Sequence, residues 1–227
     1  MKLLQALADV FWPRGLMCLG CDSLIEGGSL CPDCEATLAA MRMKEEEQEA
    51  VRSAYRYDGL AKELVIKLKM ECVEDAAKLL APAMAEEIRR MNLPEGTVLT
   101  WVTMPRRRLQ ERGIDHGRTL CEAVSALCGL EVRQLLERRG HFHTQRGLRQ
   151  EARLKNLNGT VICTEKVNVP VLLIDDVTTT GATAAVCAEA LLSAGATQVA
   201  TLTATRALHI SQENDNRKAG FYGFYSR

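Results

Sequence analysis

The sequence predicts an α/β protein: a parallel sheet flanked by helices, preceded by a small four-cysteine zinc module. Three observations predict it. The stretch VLLIDDVTTTGAT (171–183) runs from apolar residues into a turn and then a helical pattern, and the β-branched run TQVATLTAT (197–205) follows it. Strand, helix and strand at that spacing make a right-handed crossover unit of a parallel sheet. Near the start, CLGCDSLIEGGSLCPDC holds two CxxC pairs, the spacing of paired metal knuckles. A chain of 227 residues, at about 100–200 residues per domain, has room for one full domain and a small appendage.

Taken in order, residues 1–13 (MKLLQALADVFWP) read as a short amphipathic helix. Gln5 and Asp9 interrupt the apolar run and no small-residue cleavage pattern follows, so a signal peptide is not expected. No apolar run approaches the roughly 18 residues of a membrane span, and the expectation is a cytoplasmic protein without membrane insertion. Cys18, Cys21, Cys31 and Cys34 place four thiolates for one structural zinc, with Gly20, Gly27, Gly28 and Pro32 supplying turns. A disulfide pair is disfavoured by compartment, and a redox dithiol would explain one knuckle, not two. So short a module would take its folding energy from the metal. Cys72, Cys121, Cys128, Cys163 and Cys187 lie in apolar surroundings and read as reduced thiols.

The run MRMKEEEQEA (41–50) is charged and lacks turn residues, and predicts a solvated helix joining the module, 1–43, to a main domain, 51–208. Apolar spacing predicts helices over 55–70 and 75–91. A strand over 97–105 ends at Pro105, a helix spans 115–129 with Gly129 past its end, and 130–136 alternates like a strand. A basic stretch, 138–159, follows. The last unit is a strand over 169–174, a loop over 175–181, a helix over 182–194 closed by Gly195, and the strand over 197–205. The tail, 209–227, is polar with four aromatics and predicted to be flexible.

The formal net charge is zero, which argues against binding nucleic acid through bulk electrostatics. The charge is unevenly spread. Seven basic residues (Arg133, Arg138, Arg139, Arg146, Arg149, Arg153, Lys155) lie between positions 133 and 155 against Glu137 and Glu151, and 106–112 is also basic. One side of the molecule is therefore expected to be positive.

The loop after the 169–174 strand carries the chemistry. In an open parallel sheet, ligands sit at the carboxyl ends of strands. This loop feeds a helix N-terminus, whose backbone N–H groups favour an anion. Thr179, Thr180 and Thr183 add hydroxyls, and Gly181, without a Cβ, lets the backbone approach closely; Thr178 and Ala182 are counted with them as substrate-binding. That is a phosphate cradle. Asp175 and Asp176 would repel the same phosphate, so they should face neutral hydroxyls, such as those of a ribose. A Walker B strand is excluded because no Gly-Lys dipeptide exists for a P-loop. Direct Mg²⁺ ligation by the two acids leaves the threonines and glycine unexplained, and a plain capped helix accounts for only one or two of the set.

These residues resemble a known signature: 174–183 is similar to the phosphoribosyl pyrophosphate loop of type I phosphoribosyltransferases. With the four-cysteine start, YDGLAKELVIKLK (57–69), Arg112-Gly113 and QRGLRQEARLKNLNG (145–159), the chain resembles the ComF/GntX family, phosphoribosyltransferase-like proteins linked to competence for DNA uptake. The resemblance implies the type I phosphoribosyltransferase fold, a five-stranded parallel core with a small hood. It implies Asp175 and Asp176 at the ribose hydroxyls, and Thr179 to Thr183 at the 5′-phosphate. The turn after Pro105 would face a Mg²⁺-bound pyrophosphate, with Arg112 neutralising it, and Arg153 and Lys155 would lie on a mobile covering loop. Implied partners are phosphoribosyl pyrophosphate or a related sugar phosphate, single-stranded DNA and DNA-uptake proteins. Family members carry Arg-Gly-Phe-Asn-Gln where this chain has Arg-Gly-Ile-Asp-His (112–116), which adds the negative charge of Asp115. No role is assigned to His116, His141 or His143, because a lone histidine is more often incidental.

Overall fold

The computed structural model describes residues 16–138, 161–207 and 224–226. Residues 1–15, the core of the basic stretch with Arg153 and Lys155, and most of the tail lie outside the described residues.

The centre is a sheet in which β1 (Arg52–Arg56), β6 (Gln198–Arg206), β5 (Val171–Thr178) and β2 (Val98–Trp101) lie side by side in that order, all parallel. Beside β2, the chain at 131–133 continues the sheet through Leu99 N–H to Glu131 O and Arg133 N–H to Leu99 O. The short β7 (Phe224–Ser226), within the tail, pairs antiparallel with the first half of β6. Val171, Leu172, Leu173 and Ile174 are all buried, as expected of a parallel strand covered on both faces.

One face carries α2 (Gly59–Ile66), α3 (Glu74–Arg90) and α5 (His116–Cys128), whose Leu64, Leu80, Met84 and Leu120 pack with Leu99, Leu172, Ile174 and Leu202 of the strands. On the other face α6 (Ala182–Ser193) places Val186, Cys187 and Leu191 against Val98, Val171, Leu173 and Val199. Asp58 caps α2, and Asp115 caps α5 by accepting from Gly117 and Arg118 N–H. A two-stranded antiparallel ribbon of β3 (Leu136–Arg138) and β4 (Val161–Cys163) brings both ends of the basic stretch together, with Arg138 opposite Val161. The four-cysteine module, with α1 (Pro32–Ala40), does not stand apart. Its Cys18, Leu30 and Leu38 are buried in the same apolar cluster as Leu60 and Leu64.

Several expected elements change. The solvated helix over 41–50 does not form; only Glu45–Glu47 make a 3₁₀ turn. The segment instead guards the outer edge of β1. Met43 N–H bonds Ala54 O and Arg56 N–H bonds Met41 O, while the Gln48 amide bonds both backbone groups of Ser53. Its acids are engaged by arginines of the sheet: Glu45 by Arg52, Glu47 by Arg56, Glu49 by Arg206. An exposed edge is a template for unwanted pairing, and this one is covered. The helix over 55–70 starts later, because Arg52–Arg56 is a strand, and it finishes as a π-helical turn, Lys67–Glu71. The strand over 97–105 stops at Trp101, and residues 106–112 form an unforeseen α4 (Arg106–Arg112). The 130–136 strand is reduced to the pairing at Val132, with β3 starting at Leu136.

Gln48→Ala, which removes two hydrogen bonds to the backbone of buried Ser53, is expected to destabilise the protein by about 1–3 kcal/mol in urea unfolding. Glu46→Gln, on the exposed part of the segment, should change stability by less than about 0.5 kcal/mol; equal effects would contradict the edge-guard role.

Candidate functional site

The site forms where the central strand ends. β5 runs four residues beyond the expected strand, to Thr178, because Asp175, Val177 and Thr178 keep their register with Thr203, Thr205 and Arg206 of β6. Only Thr179, Thr180 and Gly181 remain as a loop before α6. The two acids therefore sit on a strand, where successive side chains point to opposite faces.

Asp176 meets the face covered by α2 and α5. Lys69 Nζ lies 2.7 Å from its Oδ1 and His116 Nε2 lies 2.9 Å from its Oδ2, with the carboxylate side chain only 5% exposed. Burial alone would raise this acid, but the close contact of His116 and the Lys69 charge outweigh it and hold Asp176 down at about 2. Asp175 feels Lys69 and Arg138 only as weaker opposing charges. Its Oδ1 accepts from the Asp176 N–H, and burial, with the adjacent Asp176 charge, pushes it up to about 7.

Two pockets meet at this strand end. A cleft of about 220 Å³ is lined by Lys69, Val102, Thr103, Met104, Pro105, Arg108, Arg112, His116 and Arg138 together with Asp175, Asp176, Val177 and Thr183. A smaller one, about 90 Å³, is lined by Thr178, Thr179, Thr180, Gly181, Ala182, Thr183 and Thr203, and shares Asp175, Val177 and Thr183 with the first. Gly181, at φ 72°, turns the chain into α6, and no side chain caps that helix. Its first N–H groups are thus left for an anion in the small pocket. Asp175, the acid shared with this pocket, is the one that burial makes more reluctant to ionise, which lessens the repulsion a phosphate would meet there.

The structure thus brings Asp175, Asp176, Thr178, Thr179, Thr180, Gly181, Ala182, Thr183 and Arg112 to two adjoining pockets, and Arg153 and Lys155 lie outside the described residues. Sequence reasoning missed Lys69, Arg108, His116 and Arg138, which line the large cleft. Only the helical position of Lys69 and the start of α5 at His116 hinted at them. His116 is not an incidental surface histidine, being 16% exposed and against Asp176. Asp115 adds no charge to the cleft wall: its carboxylate is taken up by the α5 N-terminus and by Trp101 Nε1 at 3.0 Å.

The metal centre is a separate site. The sulfurs of Cys18, Cys21, Cys31 and Cys34 lie within 4.8 Å of one another, and Cys21 Sγ is 3.7 Å from Cys31 Sγ. Four sulfurs about 2.3 Å from one zinc would be about 3.8 Å apart, whereas a disulfide needs about 2.05 Å. The four residues fit a tetrahedral zinc. Cys18, despite the opposing effect of burial, is lowered to about 6 by backbone N–H groups, including those of Cys31 and Gly20. Cys34 is pushed up by burial and by the neighbouring thiols. Four such groups ionise together only around a cation. Gly20 makes the close approach possible, since a Cβ there would sit 2.7 Å from Cys34 Sγ and 3.1 Å from Leu60 Cδ1.

No protein-family model matches the chain, and no curated protein matches it. Among solved structures, it is similar to a glutamine phosphoribosylpyrophosphate amidotransferase from B. subtilis, at 18% identity and TM-score 0.39 over 58% of this chain and 26% of that one. It is also similar to an adenine phosphoribosyltransferase from Leishmania tarentolae, at 18% identity and TM-score 0.35 over 60% of this chain and 59% of the other. A third is a hypoxanthine phosphoribosyltransferase from Trypanosoma cruzi, at 10% identity and TM-score 0.35 over 69% and 87%. This chain thus spans about a quarter of the amidotransferase and under two thirds of the adenine enzyme. Likenesses this distant assign it neither ligand nor activity. Among the described residues, no helix is long and apolar enough to cross a membrane.

Two outcomes follow from the geometry. An acid raised from 3.8 to about 7 in the fold binds its proton more tightly when folded, so its contribution to stability is full below about pH 3.8 and is lost as pH rises through 7. Asp175→Asn should therefore be more stable than the wild type at pH 8, with the difference shrinking toward pH 4, in urea unfolding at both pH values. At the metal centre, Gly20→Ala should surrender zinc to a colorimetric chelator at lower chelator concentration than the wild type; unchanged competition would count against the packing at Cys34.

Proposed function

We propose that this protein binds phosphoribosyl pyrophosphate at the carboxyl end of β5 and transfers ribose 5-phosphate to an acceptor, releasing pyrophosphate. The observation that carries this reading is the joining of two unlike pockets by one shared acid, Asp175. The small pocket offers amide and hydroxyl donors to a 5′-phosphate, Asp175 and Asp176 offer oxygens to ribose hydroxyls, and the larger cleft offers cations to pyrophosphate.

Chemically the parts cooperate. Displacing pyrophosphate from C1 builds positive charge on the sugar and negative charge on the leaving group, so catalysis is mainly electrostatic stabilisation. Arg112, Arg108 and Lys69 face the position of the leaving group, and Asp176 lies beside the sugar. Mg²⁺, carried in on the pyrophosphate oxygens, would neutralise part of that charge. Arg153 and Lys155 are proposed to add cations from the basic stretch, whose two ends meet at Arg138 and Val161 beside the cleft.

The sequence resemblance to the ComF/GntX family supports the further proposal that this activity serves DNA uptake, in a cytoplasmic protein. A second reading, in which the protein binds a sugar phosphate and single-stranded DNA without catalysis, is favoured by Arg108, Arg112 and Arg138 lining one cleft, next to a stretch rich in arginine. Phosphate contacts of that kind weaken steeply with salt. The zinc module would then be a docking point for an uptake protein.

Calorimetric titration with phosphoribosyl pyrophosphate and Mg²⁺ tests the first reading. The wild type should bind, and Asp175→Asn combined with Asp176→Asn should weaken binding at least about tenfold, or roughly 1.4 kcal/mol. Undiminished binding by the double variant would remove the site. A salt-sensitive shift with single-stranded DNA, in protein that forms no pyrophosphate from the donor, would favour the second reading.

A further inference from the structure

Each oxygen of Asp176 already has a basic group beside it: Lys69 Nζ at 2.7 Å from Oδ1 and His116 Nε2 at 2.9 Å from Oδ2, although Oδ2 makes no well-directed hydrogen bond among the described residues. A sugar hydroxyl that donates to Oδ1 must therefore compete with Lys69, and one that donates to Oδ2 must enter beside His116. His116 is poorly placed to yield. It is the first residue of α5, fixed behind the Asp115 cap, its side chain is 16% exposed, and its Nδ1 is enclosed without a hydrogen-bond partner. Lys69 is the freer group. It is 29% exposed, has four rotatable bonds, and rides on the π-helical turn that closes at Cys72 with φ 59°. Such turns recur at functional sites because they displace one residue out of the regular helix face.

We propose that Lys69 is a specificity-determining residue, shared between Asp176 and an anionic group on the anomeric carbon of a bound ribose 5-phosphate. This rests on the ribose-phosphate reading of the site. Moving an ammonium off a buried carboxylate is unfavourable unless another anion receives it. A sugar with pyrophosphate or phosphate on C1 supplies that anion in the same cleft, where Lys69, Arg108 and Arg112 all line the wall. A ribose 5-phosphate with a bare C1 hydroxyl supplies none, so it must compete with Lys69 for Asp176 without compensation. The lysine thereby couples the two halves of the site: the carboxylate is released to the sugar in step with capture of the C1 substituent. No bond is made or broken by Lys69 itself.

The test compares phosphoribosyl pyrophosphate with ribose 5-phosphate, each titrated at fixed Mg²⁺ into the full chain and into Lys69→Met, Lys69→Gln and Lys69→Arg. The wild type should prefer the pyrophosphorylated ligand. Lys69→Met should weaken that ligand about tenfold or more, the loss of one charge-assisted contact. The same variant should bind ribose 5-phosphate as tightly as the wild type or more tightly, so the preference collapses from both sides. Lys69→Gln, which keeps a donor to Asp176 and guards against misfolding of the methionine variant, should show the same collapse. Lys69→Arg should keep the preference. Equal weakening of both ligands in the Met and Gln variants, or an unmoved ratio, would overturn the role of Lys69 while leaving the ribose-phosphate reading intact. Failure of the wild type to bind either ligand would overturn both.

Discussion

The buried carboxylate of Asp176, held between Lys69 and His116, is the interaction on which the site depends. It ties the end of the central strand to two different helices on one face of the sheet, the π turn after α2 and the first turn of α5. A charge this deeply buried persists only when it is paired. Register with β6 sets how far the strand runs, strand alternation sets which way each acid points, and the pairing holds the Asp176 charge on that face. With Asp176 committed to that face, Asp175 lies between the two pockets. Burial and its neighbour's charge keep Asp175 less ionised, which suits an acid next to a phosphate cradle.

The same economy runs through the rest of the chain. Asp115, negative in sequence and close to a proposed anion site, has its carboxylate oxygens occupied by donors from α5 and Trp101. The acidic run before β1 is bound to Arg52, Arg56 and Arg206 and closes a sheet edge. The zinc-type module packs Leu30 and Leu38 into the core that also holds α2, the helix leading to Lys69. Metal centre and cleft are separate sites joined through one helix, and Gly20 is the contact point, within reach of both Cys34 and Leu60.

How legible was this in the sequence? The VLLIDDVTTTGAT stretch disclosed a buried strand, a turn and a helix, because apolar runs, hydroxyl residues and glycine are local signals. It understated the strand by four residues, since pairing of Asp175 and Thr178 with Thr203 and Arg206 is a property of the partner strand. RSAYR was hidden for the same reason: with arginines at both ends it has no apolar run, and it becomes a strand only against β6, some 150 residues away (Ser53 opposite Thr203). The run 41–50 has helical composition, but its acids pair with arginines of two strands, Arg52 and Arg56 of β1 and Arg206 of β6. Lys69 and His116 were invisible as site residues, because nothing local to either records that an aspartate lies 2.7 or 2.9 Å away. The four-cysteine centre was fully legible, because two CxxC pairs carry their geometry in their spacing.

A crystal structure of the protein grown with phosphoribosyl pyrophosphate and Mg²⁺ tests the central claim most directly. The account predicts the 5′-phosphate on the amides at the start of α6 beside Thr179, Thr180 and Thr183, the ribose hydroxyls at Asp175 and Asp176, and the pyrophosphate toward Arg112. Density for the ligand elsewhere on the molecule, or its 5′-phosphate in the larger cleft against Arg112, would contradict it.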